Sequence, residues 1–167
     1  MSKILSGGLL ASYLMILIWL VLFKFSYDIS TVLEYNHRSL NLIPFAASSK
    51  SHGGFNYGEI ILNCIFFIPF GLLLNVNFKK PGFLPKLAII VVFSLVVELI
   101  QYILAIGASD ITDLITNSVG GILGLKLYDL LNKYIRTEKL DRVIIAVGIL
   151  LLVLVLTIRI KFLHFRY

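Results

Sequence analysis

Apolar residues come along this chain in five long blocks, separated by short polar or basic stretches. The first runs from Ile4 to Phe23 without a charge, with Lys3 before it and Lys24 after it. The second, 60–78, contains Asn63, Cys64, Pro69 and Gly71, and the third, 84–106, is interrupted by Glu98 and Gln101. The fourth, 111–131, is the least apolar, with Asp113, Asn117, Lys126, Asp129 and the glycines Gly120, Gly121 and Gly124. The fifth, 143–158, lies between Arg142 and Arg159. A helix of about 20 residues at 1.5 Å per residue matches the hydrocarbon thickness of a bilayer. The pattern therefore predicts an all-α polytopic membrane protein: one domain over 1–167, a bundle of about five transmembrane helices at 4–23, 60–78, 84–106, 111–131 and 143–158. The first block is longer than a signal-peptide core and is read as an uncleaved anchor.

Composition agrees with this reading. Hydrophobic residues are 59% of the chain and charged residues 14%, with a mean hydropathy of +0.95. Soluble domains run near 45–50% apolar and about 25% charged, so a water-soluble globule, a disordered chain and a disulfide scaffold are set aside. The single cysteine, Cys64, cannot pair within the chain or form a CxxC metal site. The net charge of +6 sits in clusters beside the apolar blocks. That points to interfacial anchoring and not to nucleic acid.

Basic residues also orient the chain. Nine fall on the side holding the N-terminus and the loops after blocks two and four: Lys3, Lys79, Lys80, Lys86, Lys126, Lys133, Arg136, Lys139 and Arg142. Six fall on the other: Lys24, Arg38, Lys50, Arg159, Lys161 and Arg166. The excess predicts a cytoplasmic N-terminus and an extracellular C-terminus. The 24–59 loop is then outside; Ser48 to Gly54 reads as flexible linker, and 38–45 as a segment that lies on the membrane or tucks back among the helices. The basic turns at Lys79–Gly82 and Lys133–Arg142 read as cytoplasmic orienting elements that touch anionic lipid.

Ionisable residues within spans are functional candidates by default. Glu98 and Gln101, at i and i+3, share one face of span three, and Asp110, Asp113 and Asn117, at i, i+3 and i+7, share one face of span four. With Asn63 near the end of span two, these six fall at one depth, toward the outer side. Paired carboxylates in a low-dielectric site can divide into acid and base, relay protons or bind a cation; the same groups can also hydrogen-bond helices together. No metal site and no cofactor are expected: the three histidines have no ligand partner at helical spacing, and no P-loop, GxSxG or HExxH pattern occurs. Gly120 and Gly124 form a GxxxG pattern suited to close packing within the chain or, less simply, to a homodimer. Pro69 removes a helix hydrogen bond, and Trp19, Phe67 and Phe70 read as lipid-facing or packing residues.

Three motifs carry a resemblance. Phe67-Ile68-Pro69-Phe70-Gly71, then Glu98-Leu99-Ile100-Gln101, then Asp113-Leu114-Ile115-Thr116-Asn117-Ser118-Val119-Gly120-Gly121 resemble, in this order and spacing, the pattern of the VanZ family. The likeness extends to Arg38–Phe45 and Leu140–Arg142. It implies low-level resistance to teicoplanin and related lipoglycopeptides in the plasma membrane of a Gram-positive bacterium, with little or none to vancomycin, and it carries over no biochemical activity. One departure stands out. The broader pattern has an arginine ahead of the Asp–Asn motif, near Gly107, whereas this chain has no basic residue between Lys86 and Lys126. Three mechanisms are open: an outward-facing polar groove that binds an envelope lipid, a lipid-linked wall precursor or the drug's acyl tail; a carboxylate-dependent membrane enzyme; and a small proton-coupled transporter.

The charge count yields a direct test. A membrane-impermeant reagent should label a cysteine at Ser49 in intact cells, in a Cys64-free background. Labelling only after permeabilisation would invert the orientation.

Overall fold

The computed structural model describes residues 3–23, 37–45 and 57–164. The elements are α1 (Lys3–Phe23), β1 (His37–Asn41), α2 (Tyr57–Asn77), α3 (Phe83–Leu104), β2 (Ile106–Asp110), α4 (Ile111–Leu131) and α5 (Thr137–His164). The five apolar blocks are thus five helices. Three of them, α1 over Lys3–Leu22, α2 and α3, are long and apolar enough to cross a membrane. The Ser48–Gly54 linker lies outside the described residues.

Two sequence expectations are corrected. The chain is not purely helical: β1 and β2 form a two-stranded parallel sheet, with His37 opposite Ile106 and Asn41 opposite Asp110. Of the two fates open to 38–45, strand β1 tucks back. The third block also ends as a helix at Leu104, because Ala105 takes the left-handed conformation (φ 54°, ψ 32°) and its N–H returns to the carbonyls of Gln101 and Tyr102. That geometry closes a helix. The freed backbone of 106–110 then needs partners that lipid cannot supply, and the parallel ladder to β1 provides them.

The most extensive helix contact joins α2 and α4. Its side-chain hydrogen bonds all link residues 50 to 54 positions apart, so the two helices run parallel. Glycine makes the approach possible. A Cβ on Gly124 would overlap the Ile68 carbonyl oxygen, one on Gly120 the Cys64 carbonyl, and one on Gly71 the Gly121 carbonyl. Gly121, one step round α4, faces Ile90 of α3 instead. The GxxxG pattern therefore serves packing within the chain. Beside it lie Phe67 and Phe70, fully buried, with Phe93 of α3 at centroid distances of 6.1 and 5.1 Å. The Tyr13 hydroxyl of α1 donates to the Phe66 carbonyl of α2 at 2.6 Å, one residue after Ile65, whose carbonyl loses its helix donor at Pro69.

The basic turn after α2 is more than an orienting signal. Lys86 belongs to the first turns of α3, is only 7% exposed, and donates to Asn75 Oδ1 at 2.6 Å. Asn75 Nδ2 donates to the Leu125 carbonyl at 3.0 Å and to Asp129 at 3.4 Å. Lys79 pairs with Asp141 of α5 at 2.7 Å and lies over the Tyr128 ring, whose hydroxyl donates to the same carboxylate. This network ties α2, α3, α4 and α5 at the end of the bundle away from the sheet.

The glycine contact predicts a graded effect. Gly124→Ala should lower stability by about 1–3 kcal/mol, the usual cost of overpacking, read as a lower unfolding temperature of the detergent-solubilised protein. Gly7→Ala, with nothing within 4 Å of the new methyl group, should not lower it.

Candidate functional site

The sheet end of the bundle gathers the polar residues. Helix α4 begins where β2 stops, and Asp110 is its N-cap, in extended conformation (φ −125°, ψ 126°), accepting from the Thr112 N–H at 2.8 Å. Asp110 is therefore not a member of a helical face shared with Asp113 and Asn117. It is a cap, and it suits the post because its carboxylate satisfies an orphan amide at the positive end of the helix. Its other oxygen accepts from Asn41 Nδ2 at 3.0 Å, so the cap also fastens β1. The next turn of chain is fixed in the same way: the Ile43 N–H donates to Asn41 Oδ1 at 3.3 Å, and the Phe45 N–H to the Thr112 hydroxyl at 2.9 Å.

Glu98 enters from α3. It is 3% exposed, and its Oε2 accepts from the Asp110 backbone N–H at 3.0 Å. A carboxylate thus grips the strand-to-helix junction itself. Asp113, 4% exposed, accepts from Asn63 Nδ2 of α2 at 2.8 Å. The same amide reaches the Thr116 hydroxyl at 3.5 Å, and the Cys64 thiol donates to the Thr116 carbonyl at 3.2 Å. Asn117, fully buried, donates to the Ser94 hydroxyl of α3 at 2.9 Å. Burying charge and amide at this density is costly unless each group finds a partner, and the named bonds account for most of them.

Of the six residues singled out by spacing, Glu98 and Asp110 meet directly, as do Asn63 and Asp113, and Asn117 joins the pair of helices that carries them. Gln101 does something different. Its Nε2 donates to the Val21 carbonyl at 2.9 Å, near the end of α1, so it ties α1 to α3. The carbonyl oxygens of Gln101 and Asn117, both on fully buried side chains, accept no hydrogen bond among the described residues. Sequence reasoning missed Ser94, Thr112, Thr116 and Asn41. Ser94 was available to it, because Ser94, Glu98 and Gln101 fall at i, i+4 and i+7 on one helix face. Asn41 was not, since only the pairing of β1 with β2 brings it to Asp110. The same pairing sets Arg38 opposite Gly107. A basic residue thus stands in register beside the position where the chain itself has none.

Next to the buried polar groups the surface is apolar. Leu40, Leu42, Ile43 and Phe45 are all exposed, at 57%, 67%, 68% and 39%. Buried polar groups and an exposed apolar segment thus stand side by side at this end of the chain.

Comparison with known proteins agrees with the motifs. No solved structure matches the chain. Protein VanZ of Enterococcus faecium is 64% identical over 159 residues, covering 95% of each chain. The family model described as VanZ/LLP1 matches residues 10–132, which takes in most of α1 and all of α2 through α4 with the sheet, the glycine contact and every residue of the polar cluster. By both measures, this chain belongs to the VanZ family.

Proposed function

We propose that this chain is a plasma-membrane protein that confers low-level resistance to teicoplanin and related lipoglycopeptides, without catalysis, by engaging a lipid tail or lipid-linked group at the outer surface. Membership of the VanZ family supports the resistance role. The mechanism rests on one observation: the exposed apolar segment Leu40–Phe45 is bonded to Asp110 and Thr112 at the start of α4, where Glu98 and Asp113 are buried.

In this reading all five helices cross the bilayer. Helix α4 does so as the central span, its buried polar face (Asp113, Thr116, Asn117) covered by α2 and α3 instead of lipid. Its 21 residues rise about 32 Å, close to the hydrocarbon thickness. The N-terminus is cytoplasmic and the C-terminus extracellular, so the sheet end faces outward. An amphiphile arriving from the outer leaflet meets the apolar flap first and the hydrogen-bonding floor second. A drug carrying an acyl tail is thereby retained away from the wall precursors, and a drug without one is not. The partner is a membrane lipid, a lipid-linked wall precursor or the lipoglycopeptide itself, each of which presents an apolar chain joined to a polar head.

Expression of the protein alone should raise the inhibitory concentration of teicoplanin-like drugs several-fold and leave that of vancomycin nearly unchanged. The lipid and wall-precursor profile of the cells should not change. Equal protection against both drugs, or a new lipid-linked species, would replace the binding mechanism with an enzymatic one.

The polar cluster is tested by shape-preserving substitutions. Glu98→Gln and Asp113→Asn keep a carbonyl oxygen for the Asp110 N–H and the Asn63 amide. Each should return the inhibitory concentration to that of cells without the protein, at unchanged membrane abundance. The double variant should be no worse than either single one, because residues of one working unit are not additive. Full resistance in both single variants would make the carboxylates incidental. Loss of resistance in step with loss of protein would make them parts of the fold alone.

A further inference from the structure

A second site lies at the other end of the bundle. Helices α1, α2 and α5 enclose a groove of about 410 Å³ on the side away from the polar cluster. It runs from Leu9, Leu73 and Val143 at the basic end to Leu20, Ile65 and Leu152. Its one polar side chain, Tyr13, already donates its hydroxyl to the Phe66 carbonyl. Gly148 lines the α5 wall and, having no side chain, keeps it open. The volume falls within the range of small-molecule pockets, and nothing in it would bind a polar head.

The head group has a place of its own. Arg136, Lys139 and Arg142 are exposed and, with Glu138, line a concavity of about 450 Å³ at the start of α5. Glu138 offsets little: its pair with Arg136 is at 3.8 Å between side chains that are 88% and 72% exposed, and such pairs are weak. Lys139, Val143 and Val147 follow at i, i+4 and i+8, so the basic concavity continues into the groove wall along one stripe of α5. From Val143 to Leu152 the wall rises about 14 Å, roughly half of the 30 Å hydrocarbon core and therefore the depth of a single leaflet.

We infer that this groove is a binding site for an anionic phospholipid, which lays one acyl chain between α1, α2 and α5 and sets its phosphate against Arg136, Lys139 and Arg142. A cationic mouth selects anionic over zwitterionic heads, and a groove one leaflet deep with no polar floor takes a chain and rejects the head. Among the described residues this is a different surface from the carboxylate cluster, so either site can fail without the other.

The test uses the full chain in phosphatidylcholine bilayers with a trace of lipid spin-labelled near the chain end, either phosphatidylglycerol or phosphatidylcholine. The motionally restricted fraction should give phosphatidylglycerol an association constant about fivefold or more above that of phosphatidylcholine. Arg136→Gln/Lys139→Gln/Arg142→Gln, three exposed positions, should bring the ratio close to one. Val147→Trp, which fills the groove and leaves the charges, should also abolish the preference. Equal association of the two lipids with the unaltered protein would overturn the site. A preference that survives Val147→Trp would place the lipid on the charges alone and overturn the groove. If the reconstituted protein is a dimer that Val147→Trp dissociates, the groove holds a second copy and not a lipid.

Discussion

Backbone contact between α2 and α4 through glycine is the constraint on which the remaining structure depends. Helix α4 is too polar on one side to face lipid, and its polar groups need partners closer than ordinary side-chain packing would allow. Gly71, Gly120 and Gly124 remove the atoms that would hold the helices apart. At that separation Asn63 reaches Asp113 at one end of the pair, and Asn75 reaches the Leu125 carbonyl and Asp129 at the other. Two asparagines on α2 thus pin α4 in register along its length, and the parallel direction of the pair leaves α3 to return between them.

The two ends of the bundle apply the same physics to different purposes. At the basic end, lysines and carboxylates neutralise each other across four helices: Lys86 is buried against Asn75 near Asp129, and Lys79 is held by Asp141 and Tyr128. At the sheet end, amides donate to the carboxylates. Glu98 and Asp110 accept from backbone amides, and Asp113 from the Asn63 amide.

Much of the architecture was legible in the order of residues. Hydrophobic blocks of about 20 residues have one economical conformation in a bilayer, so the number and positions of the helices followed from length and hydropathy, and block four coincides with α4 from Ile111 to Leu131. The helical spacing foretold that Asn63 would lie at the depth of Asp113, to which it is bonded. It also foretold wrongly that Asp110 would continue the helical face and that Gln101 would join the cluster.

The sequence by itself determined which segments are helices, which face of each is polar, and to which family the chain belongs, because these depend on local periodicity and on motifs contiguous in the chain. Tertiary structure decided what could not be local. A left-handed Ala105 ends α3 two residues early and exposes backbone that only a distant strand can satisfy. That strand, 65 to 73 positions away, fastens the cap Asp110 through Asn41 and brings the exposed segment Leu40–Phe45 beside the start of α4. Lys86, counted from sequence as a loop charge, is buried because Asn75 on the preceding helix receives it. In each case the outcome depended on a partner far along the chain, and hydrogen-bond demand in a medium without water selected that partner.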